Sequence, residues 1–147
     1  MIDVTHTVTI DRPVGEVFDY VAESSNEPKW DVDVQEVVQP THGPLTAGTT
    51  YEWVLKFLGT KRIAGEVTAF EPNRLIELTT YEGAILPKIT HTFKAEGDRT
   101  LYTRRIRFET RGLLKLLEPL MKRMPTKNPN TRTAENLKRV LEGGQPR

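Results

Sequence analysis

Gly112-Leu-Leu-Lys-Leu-Leu-Glu-Pro-Leu-Met-Lys-Arg-Met124 begins the longest helical run of the chain, which continues to Glu142. Leu113, Leu116, Leu117, Leu120 and Met124 recur at helical spacing, and Ala134, Leu137, Val140 and Leu141 repeat the pattern. Gly143 and Gly144 follow, as expected just past a helix end. Almost everything before this stretch reads as strand. A long amphipathic helix after a series of strands needs a sheet to lie on, and a curved sheet gripping such a helix encloses a space in which to look for function. Pro119, Pro125 and Pro129 interrupt the helix. An interior proline removes a ladder hydrogen bond at a cost of about 3 kcal/mol. The spacing therefore predicts a kink at Pro119 and a break across 125–130, with Asn130 or Thr131 capping the final segment.

The chain has 147 residues, enough for one domain with a real core, with residues 143–147 as a frayed tail. Its 37% hydrophobic and 28% charged residues are those of a water-soluble globular protein. It has no cysteine, which excludes disulfides and thiolate metal sites. No basic leader followed by an apolar run is visible, and no apolar stretch approaches the roughly 20 residues that span a bilayer. The expectation is a cytoplasmic protein. The formal net charge is +1, unevenly spread: residues 1–40 carry 2 basic and 9 acidic side chains, residues 112–142 carry 7 and 3. Either the two ends lie together and neutralise one another, or the basic helix, with Lys122 and Arg123, meets an anionic partner such as a membrane surface. Nucleic acid is not expected as a partner, because aromatics do not interleave with the basic residues.

Asp3 to Asp11 alternates, with Val4, His6, Val8 and Ile10 on one side and Thr5, Thr7 and Thr9 on the other, which reads as a half-buried strand. Arg12-Pro13 begins a helix whose apolar face is Val14, Val17, Phe18 and Val21. A second short helix starts within Ser24 to Pro28. A strand with an irregularity then runs to Val38, and residues 39–48, rich in proline and glycine, form a loop. Five more strands are predicted over 50–58, 61–70, 75–81, 85–95 and 100–110, joined by short turns that imply antiparallel neighbours.

This order, and several local strings, resemble the SRPBCC superfamily of START-like or helix-grip domains, which includes polyketide cyclase/dehydrase-like and lipid-transport proteins. The strings are Ile10-Asp-Arg-Pro13 with Val17-Phe18, Pro28-Lys-Trp30, Gly48-Thr49, Glu66-Val-Thr-Ala-Phe-Glu-Pro72 with Arg74-Leu75, and Leu137-Lys138 with Leu141-Glu142. The resemblance implies an α+β fold: a curved seven-stranded antiparallel sheet in the order 1-7-6-5-4-3-2, two short helices at one end, and the last helix across the concave face. It implies no shared catalytic motif. Members bind lipids, sterols, polyketides, quinones or hormones, and some catalyse cyclisation or dehydration in the same cavity, so fold does not fix function. The glycine-rich loop of the pollen-allergen relatives is absent, and Pro125 and Pro129 depart from the usual continuous last helix.

Arg104 is the sharpest candidate. Tyr102, Arg104, Ile106 and Phe108 form the more apolar set of the seventh strand and are expected to face inward. A guanidinium there cannot shed its charge and needs a carboxylate, carbonyls or a ligand oxygen. It either pairs internally with Glu52, Glu66 or Glu77, or anchors a ligand carboxylate or phenolate. His6 and His91 share faces with apolar neighbours, Ile89 beside His91 among them. Each is a satisfied core histidine, or a neutral imidazole available as hydrogen-bonding group, acid or base. One strand separates them in the implied order, about 10 Å at the backbone, too far to share a metal without a third ligand, and no metal or cofactor is expected. His42, between Pro40 and Pro44, is expected in solvent. Tyr51, Trp53, Tyr81 and Tyr102 read as aromatic walls with polar tips, or as plain core. Leu55 on the third strand, and Leu117, Leu120, Met121 and Met124 on the last helix, complete the expected lining. Trp30 reads as structural, pinning the short helices to the sheet.

Three functions follow as expectations. The first is binding of a small hydrophobic or aromatic molecule, a lipid, quinone or polyketide-like compound, between sheet and last helix. The second is a cyclase or dehydratase in which His6, His91, Arg104 and Tyr102 steer proton transfer. The third is a lipid-surface or protein-interaction role of the basic helix.

Overall fold

The structure, a computed structural model, describes residues 2–31, 34–38, 46–56, 60–82, 86–108 and 129–143. β1 (Ile2–Ile10) is followed by α1 (Val14–Ala22), a 3-10 turn (Ser24–Asn26) and α2 (Glu27–Trp30). Then come β2 (Val34–Val38), β3 (Thr50–Lys56), β4 (Thr60–Glu71), β5 (Leu75–Glu82), β6 (Lys88–Glu96), β7 (Arg99–Phe108) and α3 (Pro129–Leu141). The strands form one seven-stranded antiparallel sheet in the order β1-β7-β6-β5-β4-β3-β2, the order expected. The chain thus builds the curved half-barrel of the helix-grip fold, with its helices on the inner side.

Alternation decides what each strand buries. In β5, Ile76, Leu78 and Thr80 are buried while Glu77 and Thr79 take the other face. β2 carries the expected irregularity, a register shift between Val34 and Glu36 against β3. At the β4–β5 turn, Asn73 adopts φ 61° beside Pro72, and Arg74 N–H donates to Glu71 O at 3.0 Å. Asparagine tolerates that left-handed conformation better than most residues. α1 buries Val17, Phe18, Val21 and Ala22. The Phe18 ring packs edge-on between Phe70 and Phe93, with centroids 5.3 and 5.1 Å away. Pro13 is the residue before α1 rather than its first, and its carbonyl accepts from Glu16 and Val17 N–H.

The last helix differs from expectation where it can be seen. Residues 112–128 lie outside the described residues, and with them the kink at Pro119, the break at Pro125, and Leu117, Leu120, Met121, Met124, Lys122 and Arg123. α3 starts at Pro129, so Asn130 and Thr131 sit inside its first turn instead of capping it. Proline fits that first position because its missing N–H would have had no intrahelical partner. Ala134 and Leu137 are fully buried as expected, but Asn130, Thr133 and Asn136 are buried with them. Gly143 terminates the helix at φ 91°, its N–H donating to Val140 O.

α3 is held along β1 and β7 by polar contacts. Asn130 Nδ2 donates to Arg104 O at 2.9 Å, His6 Nε2 and Glu135 Oε1 are 3.2 Å apart, Lys138 Nζ donates to Thr9 O, and Asp11 N–H donates to Glu142 Oε2 at 2.8 Å. Charge neutralisation between the chain's ends is therefore only part of the account. Among the described residues, Asp3, Asp11 and Asp31 pair with arginines of β7: Arg105, Arg99 and Arg104. The sheet order explains the first two, since β1 lies directly against β7, whereas Asp31 reaches Arg104 from the end of α2.

Candidate functional site

The inner face of β7 carries Tyr102 and Arg104, with exposures of 0% and 3%. The register sets Arg104 level with His6 on β1 and His91 on β6. Parity and apolar neighbours turned Tyr102, Arg104 and His91 inward, and burial follows that expectation for these three. The partner of Arg104 does not. Instead of a sheet glutamate, Arg104 Nη2 meets Asp31 Oδ2 at 3.3 Å and Nη1 donates to Asn130 Oδ1 at 2.7 Å. Glu52 pairs with Arg62 and Glu77 with Lys88, while Glu66 is exposed. Asp31 follows α2 and Asn130 lies in the first turn of α3, so each helix brings a polar group to Arg104.

α2 supplies a second acid. Glu27, four residues before Asp31 and three before Trp30, is 6% exposed and accepts from Trp53 Nε1 at 3.2 Å. Burial and the nearby Asp31 charge push its carboxyl up to about 8, against the pull of Arg104 and of the Trp53 hydrogen bond. One guanidinium cannot neutralise two buried carboxylates, so Glu27 keeps its proton at neutral pH. Sequence reasoning passed over Glu27 and Asp31. The signal was their spacing: 27, 30 and 31 share one helical face, and Trp30 had to be buried.

His91 is fully enclosed. Its Nδ1 lies 2.6 Å from Tyr102 Oη, the two rings stack at 5.9 Å, and the Trp30 ring stands edge-on at 6.2 Å. Burial, and then the Arg104 charge, depress the imidazole to about 3, so it is neutral. Burial likewise raises the Tyr102 hydroxyl above the ordinary phenol range. His6 is different: it sits half-buried at the β1–α3 seam against Glu135. Among the described residues no three His, Asp or Glu side chains converge as a metal site.

Tyr51 and Trp53 line the inner face of β3, with rings 4.9 Å apart and exposures of 3% each. Ile89 is buried, and Leu55 and Ile106 pack partly buried against the same core. Tyr81 is not among them. It is 55% exposed because it shares its face of β5 with Glu77 and Thr79, two and four residues away. Burial raises the Tyr51 hydroxyl; the neighbouring Thr80 hydroxyl opposes this, yet the two miss hydrogen-bond geometry.

Four buried polar atoms of this inner region have no hydrogen-bond partner among the described residues: Trp30 Nε1, Arg104 Nε, Tyr51 Oη and Thr80 Oγ1. A fifth, Arg107 Nε, belongs to the outward set of β7. Buried polar groups are normally satisfied. The inner face therefore combines apolar and aromatic walls with unused hydrogen-bonding capacity. The first two of these atoms can only donate.

A family model described as polyketide cyclase/dehydrase and lipid transport matches residues 1–142. No curated protein matches the chain by sequence. Among solved structures, a Streptomyces aromatase/cyclase, ZhuI, is similar with a TM-score of 0.75 at 16% identity, covering 97% of this chain and 98% of that one. The Thermus thermophilus protein TTHA0849 has a TM-score of 0.74 at 18% identity, over 96% and 94% of the two chains. A START superfamily protein from Mycobacterium smegmatis has a TM-score of 0.67 at 16% identity, over 96% and 94%. At these identities the likeness is one of fold.

Proposed function

This chain belongs to the polyketide cyclase/dehydrase and lipid transport family, and from that premise we propose that it binds a small hydrophobic or aromatic molecule between the inner face of the sheet and the last helix. The family, with its START-like and aromatase/cyclase structural neighbours, supports a role in binding hydrophobic ligands or in cyclase chemistry. The ligand class proposed is a flat lipid, quinone or polyketide-like molecule bearing an acceptor oxygen. The observation that carries it is the pair of buried donors, Trp30 Nε1 and Arg104 Nε, left without partners among the described residues beside aromatic walls. Each of these donors needs an acceptor oxygen, which a carbonyl, carboxylate or phenolate would supply.

The two tryptophans of the chain, Trp30 and Trp53, both stand at this site, so intrinsic fluorescence reports its occupancy. Titration with 2-naphthoic acid, palmitic acid and anthraquinone-2-carboxylic acid should give a saturable change with at least one of them. Arg104→Gln should weaken it, and Tyr81→Ser, on the outer face, should not. Absence of a saturable response to all three refutes the reading.

A second, enzymatic reading draws on Glu27. A carboxyl that titrates at about 8 is a proton donor suited to neutral pH, and it lies beside Arg104, the group that would orient a carbonyl. Cyclisation or dehydration of a poly-β-ketone would use that acid. Unchanged turnover of such a substrate by Glu27→Gln would remove Glu27 from the chemistry. The surface-binding reading gains nothing from the described part of α3, where Lys138 is bonded to Thr9 O and Glu142, and Arg139 to Asn136.

A further inference from the structure

We propose that Tyr51 Oη and Thr80 Oγ1, seated over Gly65, form a second polar subsite for a hydroxyl or carbonyl at the end of the ligand remote from Arg104. The proposal rests on the binding reading above and adds to it that the ligand is polar at both ends.

Three adjacent strands build this subsite. Tyr51 on β3 is the cross-strand partner of Gly65 on β4, and Gly65 is the partner of Thr80 on β5. The β4–β5 register shifts between Ala64 and Gly65, so the glycine lies at a local irregularity. A Cβ on residue 65 would stand 2.5 Å from Tyr51 Oη, 2.6 Å from Thr79 O and 2.9 Å from Tyr51 Cζ. The tip of the tyrosine thus rests on the glycine backbone, in space that any side chain would take. This arrangement carries the phenol across β4 towards Thr80.

Tyr51 is 3% and Thr80 5% exposed, and neither hydroxyl has a hydrogen-bond partner among the described residues. A buried unpaired hydroxyl weakens a fold, whereas phenylalanine and valine would occupy nearly the same volumes without that penalty. Two such hydroxyls on the same inner face make sense if a third oxygen completes them. Each can both donate and accept, so together they suit a hydroxyl or ketone. The Arg104 end, with its unpartnered donors, suits an acceptor or anion instead.

The register gives the spacing. Arg104, His91 and Ile76 form one cross-strand row; Thr80 stands four residues further along β5, about 14 Å along the strand, and β5 lies two strands from β7, about 10 Å across the sheet, which puts Thr80 about 17 Å from Arg104 at the backbone. Leu78 and Ile89, cross-strand partners buried at 3% and 5%, form the floor between the two ends.

The test compares 2-naphthoic acid with 6-hydroxy-2-naphthoic acid on the parent protein, Tyr51→Phe and Thr80→Val, with urea unfolding of all three proteins. The parent should bind the hydroxylated probe about five- to tenfold more tightly, the worth of one net hydrogen bond, and each variant should lose the preference. Both variants should also unfold at an unchanged or higher urea concentration, because they remove unpaired polar groups. Equal binding of the two probes by the parent, a preference retained in the variants, or a lowered urea midpoint in either variant overturns the subsite alone. Binding of neither probe overturns the binding reading and the subsite with it.

Discussion

Glu27→Gln should abolish an unusual loss of stability on the alkaline side of neutrality. The folded chain raises this carboxyl from 4.5 to about 8, chiefly by burial. Between those values the folded state holds a proton that the unfolded state has released, so stability falls as pH rises through the window. His91 acts in the opposite sense. Its folded value of about 3 lies below the ordinary 6.5, so the unfolded state binds the extra proton and stability falls as pH drops from 6.5 towards 3. Where the windows overlap, from 4.5 to 6.5, the two slopes cancel and the parent should be nearly pH-independent. Above 6.5 only Glu27 remains. One proton per pH unit is worth about 1.4 kcal/mol, so the parent should lose roughly 2 kcal/mol between pH 6.5 and 8. Glutamine keeps an oxygen to accept from Trp53 Nε1 but carries no charge at any pH. The variant should therefore be flat above 6.5 and, with the His91 slope no longer cancelled, should lose stability as pH falls below it. Urea unfolding followed by tryptophan fluorescence at half-unit intervals from pH 4.5 to 8.5 measures both limbs. A parent flat from 6.5 to 8, or a variant that declines in parallel with it, refutes the assignment of a buried proton to Glu27.

Arg104→Met should be among the most destabilising single substitutions, costing about 3–5 kcal/mol in urea unfolding, because it strands the Asp31 charge in the interior. Pairing it with Asp31→Asn should recover much of that loss; an equally unstable double variant would show that the ion pair is not the cause. Gly65→Ala should cost roughly 1–3 kcal/mol by overpacking against Tyr51 Oη and Thr79 O, and should shift tryptophan emission through the Tyr51–Trp53 contact. A neutral Gly65→Ala would mean that Tyr51 swings away freely.

Much of the site was legible before any coordinates, because alternation is a local property. The inward placement of Tyr51, Trp53, Tyr102, His91 and Arg104 follows from period two, and burial agrees with each. Tyr81 was misplaced although the same rule covered it: Ile76 and Leu78 set the inner face of β5, and Tyr81 has the opposite parity. The partner of Arg104 could not be found by searching the sheet. Asp31, just past the end of α2, lies 73 residues away in the chain, and Asn130, in the first turn of α3, lies 26 residues away.

What the sequence determined by itself was the set of elements and the face each one buries: a strand pleat and a helical turn impose their periods on neighbouring residues, and the prolines and glycines mark where those periods stop. Which polar groups meet was settled by packing between elements distant in the chain. Glu27, Asp31, Arg104 and Asn130 come together because the end of α2 and the start of α3 pack against each other beside β7. The charge state of that cluster follows from their shared exclusion from water, which raises Glu27 and lowers His91. Desolvation depends on everything packed around a group, and no spacing along the chain encodes it.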